Sequence, residues 1–135
     1  MSDNKALVKS FLEALGAGDA ERLKALITKD ITAVATGSSV LSMTRNYDDI
    51  VGTAQMLKAA TKNGIEFRFL NLTAEADRVA VEVEGYSTLV NGVPYNNQYH
   101  MLFFIRDGKI CKMKEYFDTK LADAALGPLM AAAPK

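Results

Sequence analysis

The chain has 135 residues, and its 16 lysines and arginines balance its 16 aspartates and glutamates. This length suits one domain, so we expect a single domain over residues 1–135. Hydrophobic residues make up 49% of the chain and charged residues 24%, which is typical of a globular protein rather than a disordered or fibrous one. The balanced charge argues against binding to nucleic acid, which usually requires an excess of positive charge.

The sequence has one cysteine, Cys111, and one histidine, His100. A single cysteine cannot form an intrachain disulfide, and a single histidine cannot supply the two or three ligands of a common zinc or iron site. We therefore expect neither a metal nor a cofactor. No segment approaches the roughly 20 consecutive apolar residues that span a membrane, which predicts a cytoplasmic protein.

The first half of the chain predicts three helices. Residues 5–15 carry apolar side chains at helical spacing, and Asp19 can cap a second, shorter helix because its carboxylate accepts the free N–H groups of a first turn. A short strand is predicted over residues 31–35, followed by a polar segment. Asp48 or Asp49 can then cap the third helix.

The second half of the chain predicts strands. Four runs are rich in β-branched and aromatic residues and are separated by turn signals. These runs are residues 65–75, 79–90, 95–106 and 109–117. They predict an antiparallel meander, and the element order predicts an α+β fold whose helices cover one face of the sheet and leave a space at its open end. The tail from Leu121 suits a last helical turn or a closing lid.

The last predicted strand places a carboxylate on an apolar face. Strand alternation sets Met113, Glu115 and Phe117 on one face and Lys112 and Lys114 on the other. Burial raises the pKa of a carboxyl group, and a glutamate tuned in this way suits acid–base catalysis near neutral pH. The alternative is a strand-end glutamate that reaches solvent or pairs with a lysine.

The run over residues 79–90 alternates three valines with polar residues. Polarity alone predicts that the valines lie inside, with Glu82 and Glu84 in solvent. If the outer face of the sheet is instead an apolar dimer surface, the glutamates and Tyr86 line the cavity, where two carboxylates can divide acid and base roles. The valines are Val79, Val81 and Val83.

The run over residues 95–106 is apolar on both faces, which is typical of a central or interface strand. His100 within it fits a hydrogen-bonded interface residue better than a proton carrier. Asn97 and Tyr99 lie near the expected cavity mouth, where either could donate a hydrogen bond to a substrate oxygen, and Tyr99 is the better candidate.

Several short motifs together resemble the SnoaL-like branch of the nuclear transport factor 2-like superfamily, over about residues 5–120. They are Gly-Ala-Gly-Asp at 16–19, Thr-Gly-Ser-Ser at 36–39, Tyr-Asn-Asn-Gln-Tyr at 95–99, Asp-Gly-Lys-Ile at 107–110 and Glu-Tyr-Phe-Asp at 115–118. The resemblance implies a cone-shaped, curved antiparallel β-sheet packed against three N-terminal helices. The superfamily includes polyketide cyclases, ketosteroid isomerases, limonene epoxide hydrolases, dehydratases and non-catalytic binding domains, so the fold leaves the function open.

Matching individual positions to these relatives narrows the range of activities that the resemblance implies. By resemblance, the base and the oxyanion-hole aspartate of ketosteroid isomerases match Ala35 and Met101, neither of which carries a carboxyl group, so the resemblance argues against that activity. The Arg-x-Asp pair and the later aspartate of limonene epoxide hydrolase match Glu82, Glu84 and Glu115. By this match, which we adopt over the polarity pattern, the valines form an apolar dimer surface. One cavity would then be lined by Glu84, Tyr86, Asn97, Tyr99, Glu115 and Phe117.

We therefore expect a cofactor-independent enzyme that transfers protons on a small hydrophobic, oxygenated substrate, as an isomerase, cyclase, dehydratase or hydratase. The expected catalytic residues are Glu115, Glu84 and Tyr99. The expected substrate-binding residues are Tyr86, Asn97, Met101, Met113 and Phe117. The alternative is a non-catalytic module for ligand binding or dimerisation. We also expect a homodimer through the sheet, because a large exposed apolar face would be a liability in a monomer.

Overall fold

The computed structural model describes residues 3–132 and contains helices at both ends of the chain, with strands between them. The helices are α1 (Asn4–Ala17), α2 (Ala20–Leu26), α3 (Tyr47–Ala60) and α4 (Thr119–Ala132). The strands are β1 (Ile27–Ala35), β2 (Met43–Arg45), β3 (Thr61–Glu75), β4 (Arg78–Leu89), β5 (Asn97–Arg106) and β6 (Lys109–Phe117). The α+β class and the three N-terminal helices are as predicted.

The strands form one six-stranded sheet in the order β2-β1-β6-β5-β4-β3. Strands β3 to β6 are the predicted antiparallel meander. One pairing differs from the expected all-antiparallel sheet, because β1 runs parallel to β6. After β1 the chain forms β2 and α3 and then the four strands of the meander. The last of these strands, β6, lies beside β1 and runs in the same direction.

The predicted valine surface on β4 lies in the core. Val79, Val81 and Val83 are at most 1% exposed and belong to the cluster that packs beneath the N-terminal helices. Phe11 of α1 meets Phe103 of β5 edge-on in the same cluster, with ring centroids 5.6 Å apart. The expectation that the valines form a dimer surface is therefore wrong. A homodimer through the sheet stays a prediction, and it would have to use the opposite, outer face.

Helix α1 lies against β3 at a point where only glycine fits. A Cβ atom at Gly16 would collide with the carbonyl oxygen of Ile65, and one at Gly64 would collide with the carbonyl oxygen of Gly16. Gly64 also has a φ of +73°, a conformation that favours glycine. This close approach holds Phe11 and Leu15 of α1 over the sheet.

The helix starts follow the expected capping chemistry with one change. Asp19 caps α2 by accepting a hydrogen bond from the Arg22 N–H at 3.1 Å, as predicted. Helix α3 is capped by Asn46 rather than by Asp48 or Asp49, and Asp49 completes the capping box by accepting from the Asn46 N–H at 3.0 Å. The box fixes the turn that directly follows β2.

Helix α4 packs across one end of the sheet, where Ala122 and Leu126 join Leu89 and Tyr95 in a second apolar cluster. Asp123 ties this helix to the loop after β1 by accepting hydrogen bonds from Ser39 Oγ at 2.7 Å and from the Val40 N–H at 2.8 Å. The predicted closing element is thus a helix of 14 residues. None of the helices described is long and apolar enough to cross a membrane.

Candidate active site

A cavity of about 110 Å³ lies between the concave face of the sheet and helices α1, α3 and α4. Its walls are mainly apolar. The helices contribute Phe11, Leu15, Ile50, Met56, Leu57 and Leu126, and the strands contribute Ala33, Ala35, Ile65, Phe67, Met101, Met113 and Phe117. The polar side chains that reach the cavity are Arg45, Thr53, Tyr95, Tyr99 and Glu115.

Glu115 stands near the end of β6 with its backbone firmly held. Its carbonyl oxygen accepts hydrogen bonds from Thr36 Oγ1 at 2.8 Å and from the Thr36 N–H at 3.1 Å. Across the sheet its neighbours are Ala35 on β1 and Met101 on β5. The short Ala35 side chain leaves space beside the carboxyl group, which therefore opens onto the cavity.

Burial raises the pKa of Glu115 from 4.5 to about 7, and the positive charge of Arg45 opposes this shift only in part. Protein atoms surround the carboxyl group almost completely, and the cavity reaches the accessible remainder of the side chain. Among residues 3–132, no side-chain ion pair or hydrogen bond engages this carboxyl group. Glu115 is therefore divided between its acid and its base form near neutral pH, and both forms face the cavity.

Two tyrosines share the cavity with Glu115. Burial is the main cause that raises the pKa of both Tyr95 and Tyr99, and the negative charge of Glu115 adds to it. Both phenols therefore keep their protons at neutral pH, and the two hydroxyl groups lie close enough to interact with each other, which adds to the raised pKa of Tyr99. The Tyr99 ring is held between Phe67 and Phe117, at centroid distances of 5.9 and 6.4 Å.

Asn97 sits behind these tyrosines and is 2% exposed. Its Nδ2 donates to Tyr95 Oη at 3.0 Å and to the Asp118 carbonyl oxygen at 3.2 Å, while its Oδ1 accepts from the Asp118 N–H at 3.3 Å. The amide is thus engaged by protein groups and does not line the cavity, contrary to the expectation that it binds substrate directly.

Comparison with known proteins places this fold in a family. Residues 8–113 match the model of the SnoaL-like domain. The chain belongs to the SnoaL-like family. The resemblance noted in the sequence is thereby confirmed, while Glu115 lies two residues beyond the matched segment.

Solved structures similar to this SnoaL-like chain share its fold at low sequence identity. An NTF2-like protein from Burkholderia xenovorans is 23% identical over 90% of this chain and 94% of its own, with a TM-score of 0.72. IdmH from Streptomyces antibioticus, a candidate polyketide cyclase, is 20% identical over 93% and 99%, with a TM-score of 0.75. PrhC from Penicillium brasilianum is 19% identical over 94% and 87%, with a TM-score of 0.82. No curated protein matches the chain.

Five of the predicted site residues line the cavity of this SnoaL-like domain, although their roles stay predictions. They are Tyr99, Met101, Met113, Glu115 and Phe117. Alternation along β5 and β6 places them together, because Met101 pairs with Glu115 and Tyr99 pairs with Phe117.

Glu84 and Tyr86 do not line the cavity, so the placement taken from limonene epoxide hydrolase is wrong. The buried valines of β4 take the inner face, and alternation then puts both residues on the outer face. There Tyr86 Oη donates to Glu84 Oε1 at 2.8 Å, and the Arg68 guanidinium lies 4.0 Å from the centre of the Tyr86 ring. The polarity pattern alone places these residues correctly.

Glu82 and His100 also lie on the outer face, where they pair across β4 and β5. Asn71 Nδ2 donates to Glu82 Oε1 at 2.7 Å. With Glu84 and Tyr116 they border an open depression of about 530 Å³ on the far side of the sheet from Glu115. Neither glutamate can share a substrate with Glu115 in the cavity.

Three polar residues of the cavity, Arg45, Thr53 and Tyr95, are not among the predicted site residues. Tyr95 opens the predicted strand over residues 95–106, and alternation along that run sets it on the same face as Tyr99, so a signal for it was present although β5 itself begins only at Asn97. Arg45 lies in the polar segment that was predicted as a loop and forms the end of the short edge strand β2. The only available signal was the length of that segment, since long loops often border a site.

Proposed function

We propose that this SnoaL-like protein is a cofactor-independent enzyme that transfers a proton on a small, mainly apolar substrate with a carbonyl or hydroxyl oxygen. The supporting observation is Glu115, a carboxyl group with a pKa of about 7 that opens onto an apolar cavity. A general acid or base works best when its pKa lies near the working pH, because both forms are then available. The group that the reaction needs is thus poised before substrate arrives.

The chemistry that fits this arrangement begins with a substrate carbonyl near the two phenols. The Glu115 carboxylate takes a proton from the carbon next to that carbonyl, and the C–H electron pair becomes the new C=C bond of an enolate. Tyr95 or Tyr99 donates a hydrogen bond to the enolate oxygen, which stabilises the negative charge that develops there. The Glu115 carboxylic acid then returns the proton to carbon, at the same position or at another one.

The same intermediate can lead to two products. Return of the proton to a different carbon completes an isomerisation. Attack of the enolate carbon on a second carbonyl within the substrate forms a ring, with the Glu115 proton passing to the new alkoxide. Both routes need one acid–base group and a hydrogen-bond donor, and the cavity supplies these.

Epoxide hydrolysis of the limonene type is less well supported. That chemistry uses two carboxylates and an arginine in one cavity, whereas the matching Glu82 and Glu84 lie on the outer face. A single cavity carboxylate favours proton transfer on carbon over the activation of water by a second carboxylate.

The size of the cavity limits the part of the substrate that reaches Glu115. A buried apolar cavity of roughly 150 Å³ is known to take up benzene, and the cavity here measures about 110 Å³. The reacting end of the substrate is therefore no larger than about one ring.

A general proton-transfer assay tests the proposal without a known substrate. The probe is acetophenone in D₂O, and proton NMR follows the replacement of its methyl hydrogens by deuterium. We expect the wild type to speed this exchange, Glu115→Gln to reduce it to the uncatalysed rate, and Glu84→Gln, the same change on the outer face, to match the wild type. Equal exchange by the wild type and Glu115→Gln would contradict the proposal and favour a binding-only module.

A further inference from the structure

Arg45 differs from the other arginines of this protein in its partners. The chain has five arginines, and Arg45 is the one whose side chain lines the cavity. The other four each form an ion pair, namely Arg22 with Glu13, Arg68 with Glu66, Arg78 with Asp77 and Arg106 with Asp30. Within residues 3–132, the Arg45 side chain has no acidic, hydrogen-bonding or aromatic partner.

The floor between Arg45 and Glu115 consists of two alanines. Arg45 pairs with Ala33 across β2 and β1, and Glu115 pairs with Ala35 across β6 and β1. The Cα atoms of Arg45 and Glu115 are roughly 12 Å apart, because the two residues lie two strands apart across the sheet and are offset by two residues along it. No ion pair or hydrogen bond joins the two side chains, so the guanidinium and the carboxyl group stand apart above the short alanine side chains.

The two charged groups interact across this gap without forming an ion pair. The positive charge of Arg45 lowers the pKa of Glu115 in opposition to burial, which shows that each lies within electrostatic reach of the other. A half-buried cation next to apolar walls is unfavourable until an anion compensates its charge. The Glu115 carboxyl group provides that compensation only from a distance.

The guanidinium group is well suited to one kind of ligand group. Its planar array of N–H donors matches the two oxygens of a carboxylate, and one unpaired cation balances one negative charge. The remaining cavity surface is mainly apolar and suits a hydrocarbon skeleton. An apolar carboxylic acid would thus satisfy both parts of the cavity at once.

We propose that the substrate of this enzyme is a small, mainly apolar carboxylic acid whose carboxylate binds Arg45 while its carbon skeleton crosses Ala33 and Ala35 to reach Glu115. This inference rests on the proposed function and adds the substrate class to it. Arg45 is then the residue that selects an acid over a neutral ketone of the same shape.

Two probes of the same size test this selection. Benzoate and benzamide share one ring and differ in charge, and isothermal titration calorimetry gives the Kd of each. We expect the wild type to bind benzoate at least about tenfold more tightly than benzamide. Arg45→Met should remove this preference and leave the benzamide Kd within about twofold, whereas Arg45→Lys should keep part of it because it retains the charge without the planar array.

Arg22→Met is the matched control, because it removes the same charge from the protein surface outside the cavity. It should bind both probes as the wild type does. Equal affinities of the wild type for the two probes would overturn the proposal, and so would a preference for benzoate that survives in Arg45→Met. It would also be overturned if Arg45→Met weakened the binding of both probes equally, or if Arg22→Met lost the preference as Arg45→Met does. Absence of benzoate binding at about 10 mM, well above a weak millimolar Kd, would also overturn it.

The acetophenone assay separates failure of this inference from failure of the proposed function. Acetophenone has no carboxylate, so its exchange requires Glu115 but no bond to Arg45. If deuterium exchange requires Glu115 but benzoate and benzamide bind equally well, the proposal of a carboxylic acid substrate is refuted. The proposed proton-transfer function is then still supported. Exchange that persists in Glu115→Gln would refute the function itself.

Discussion

Replacement of Glu115 by glutamine should stabilise the protein at neutral pH and above and leave its stability almost unchanged near pH 4. The pKa of Glu115 is about 7 in the folded protein, against 4.5 for an unperturbed glutamate. Between these values the folded state binds more protons than the unfolded state, so the free energy of unfolding falls as pH rises. Glutamine resembles the protonated carboxyl group in shape and does not titrate.

The expected size of this effect follows from the same two pKa values. One pKa unit corresponds to about 1.36 kcal/mol, so raising the pKa of Glu115 from 4.5 to about 7 removes on the order of 3 kcal/mol of stability once the pH exceeds both values. Below about pH 4.5 the penalty is absent, because the group is protonated in both states. For a chain of this length, 3 kcal/mol corresponds to a Tm difference of roughly 10 °C.

Urea denaturation of the wild type and Glu115→Gln between about pH 4 and pH 8.5 measures this difference. The two proteins should nearly coincide at the lower pH, diverge as the pH rises from 4.5 towards 7, and keep a nearly constant difference above that, with the variant the more stable. Glu84→Gln makes the same chemical change on the outer face and should show no such divergence. A difference between wild type and Glu115→Gln that is the same at both ends of the pH range would refute the burial argument.

Three further changes test other parts of the site. Tyr99→Phe should slow deuterium exchange into acetophenone by about 100-fold, as expected for loss of an oxyanion donor, with little change in Tm; an unaltered rate would exclude this role. Asn97→Leu should lower the free energy of unfolding by about 1–3 kcal/mol in urea, because it leaves the buried Tyr95 hydroxyl and the Asp118 backbone without their Asn97 partner; unchanged stability would contradict those contacts. Asp123→Ala should speed hydrogen exchange at the Val40 N–H, measured by NMR, and unchanged protection would show that α4 does not hold the loop.

The fold was largely predictable because its elements carry local signals. The strand runs, the turns between them and the Asp19 cap are all visible in the sequence and occur in the structure. The parallel pairing of β1 with β6 was not predictable in this way, since it joins segments about 80 residues apart. The edge strand β2 was missed because its three residues are too few for a periodic pattern to show.

The candidate site was predictable where strand alternation determines a side chain's direction. Alternation placed Glu115 among apolar residues on the inner face of β6, and its raised pKa follows from that burial. The same rule, applied to β4, places the valines inside and Glu84 and Tyr86 outside. The distant resemblance to limonene epoxide hydrolase predicts the opposite placement of Glu84 and Tyr86, and it is wrong here. Arg45 could not be predicted as a cavity residue, because its position depends on how β2 pairs with β1.

The central claim is that Glu115 holds a proton near neutral pH inside the cavity, and a titration of its side chain tests this most directly. Carbon-13 NMR of the glutamate carboxyl groups, with Glu115→Gln to assign the signal, gives the pKa of this residue in the intact protein. A value of about 7 is predicted. A value near 4.5 would show that the carboxyl group is solvated or paired, and would contradict both the burial of Glu115 and its proposed role in proton transfer.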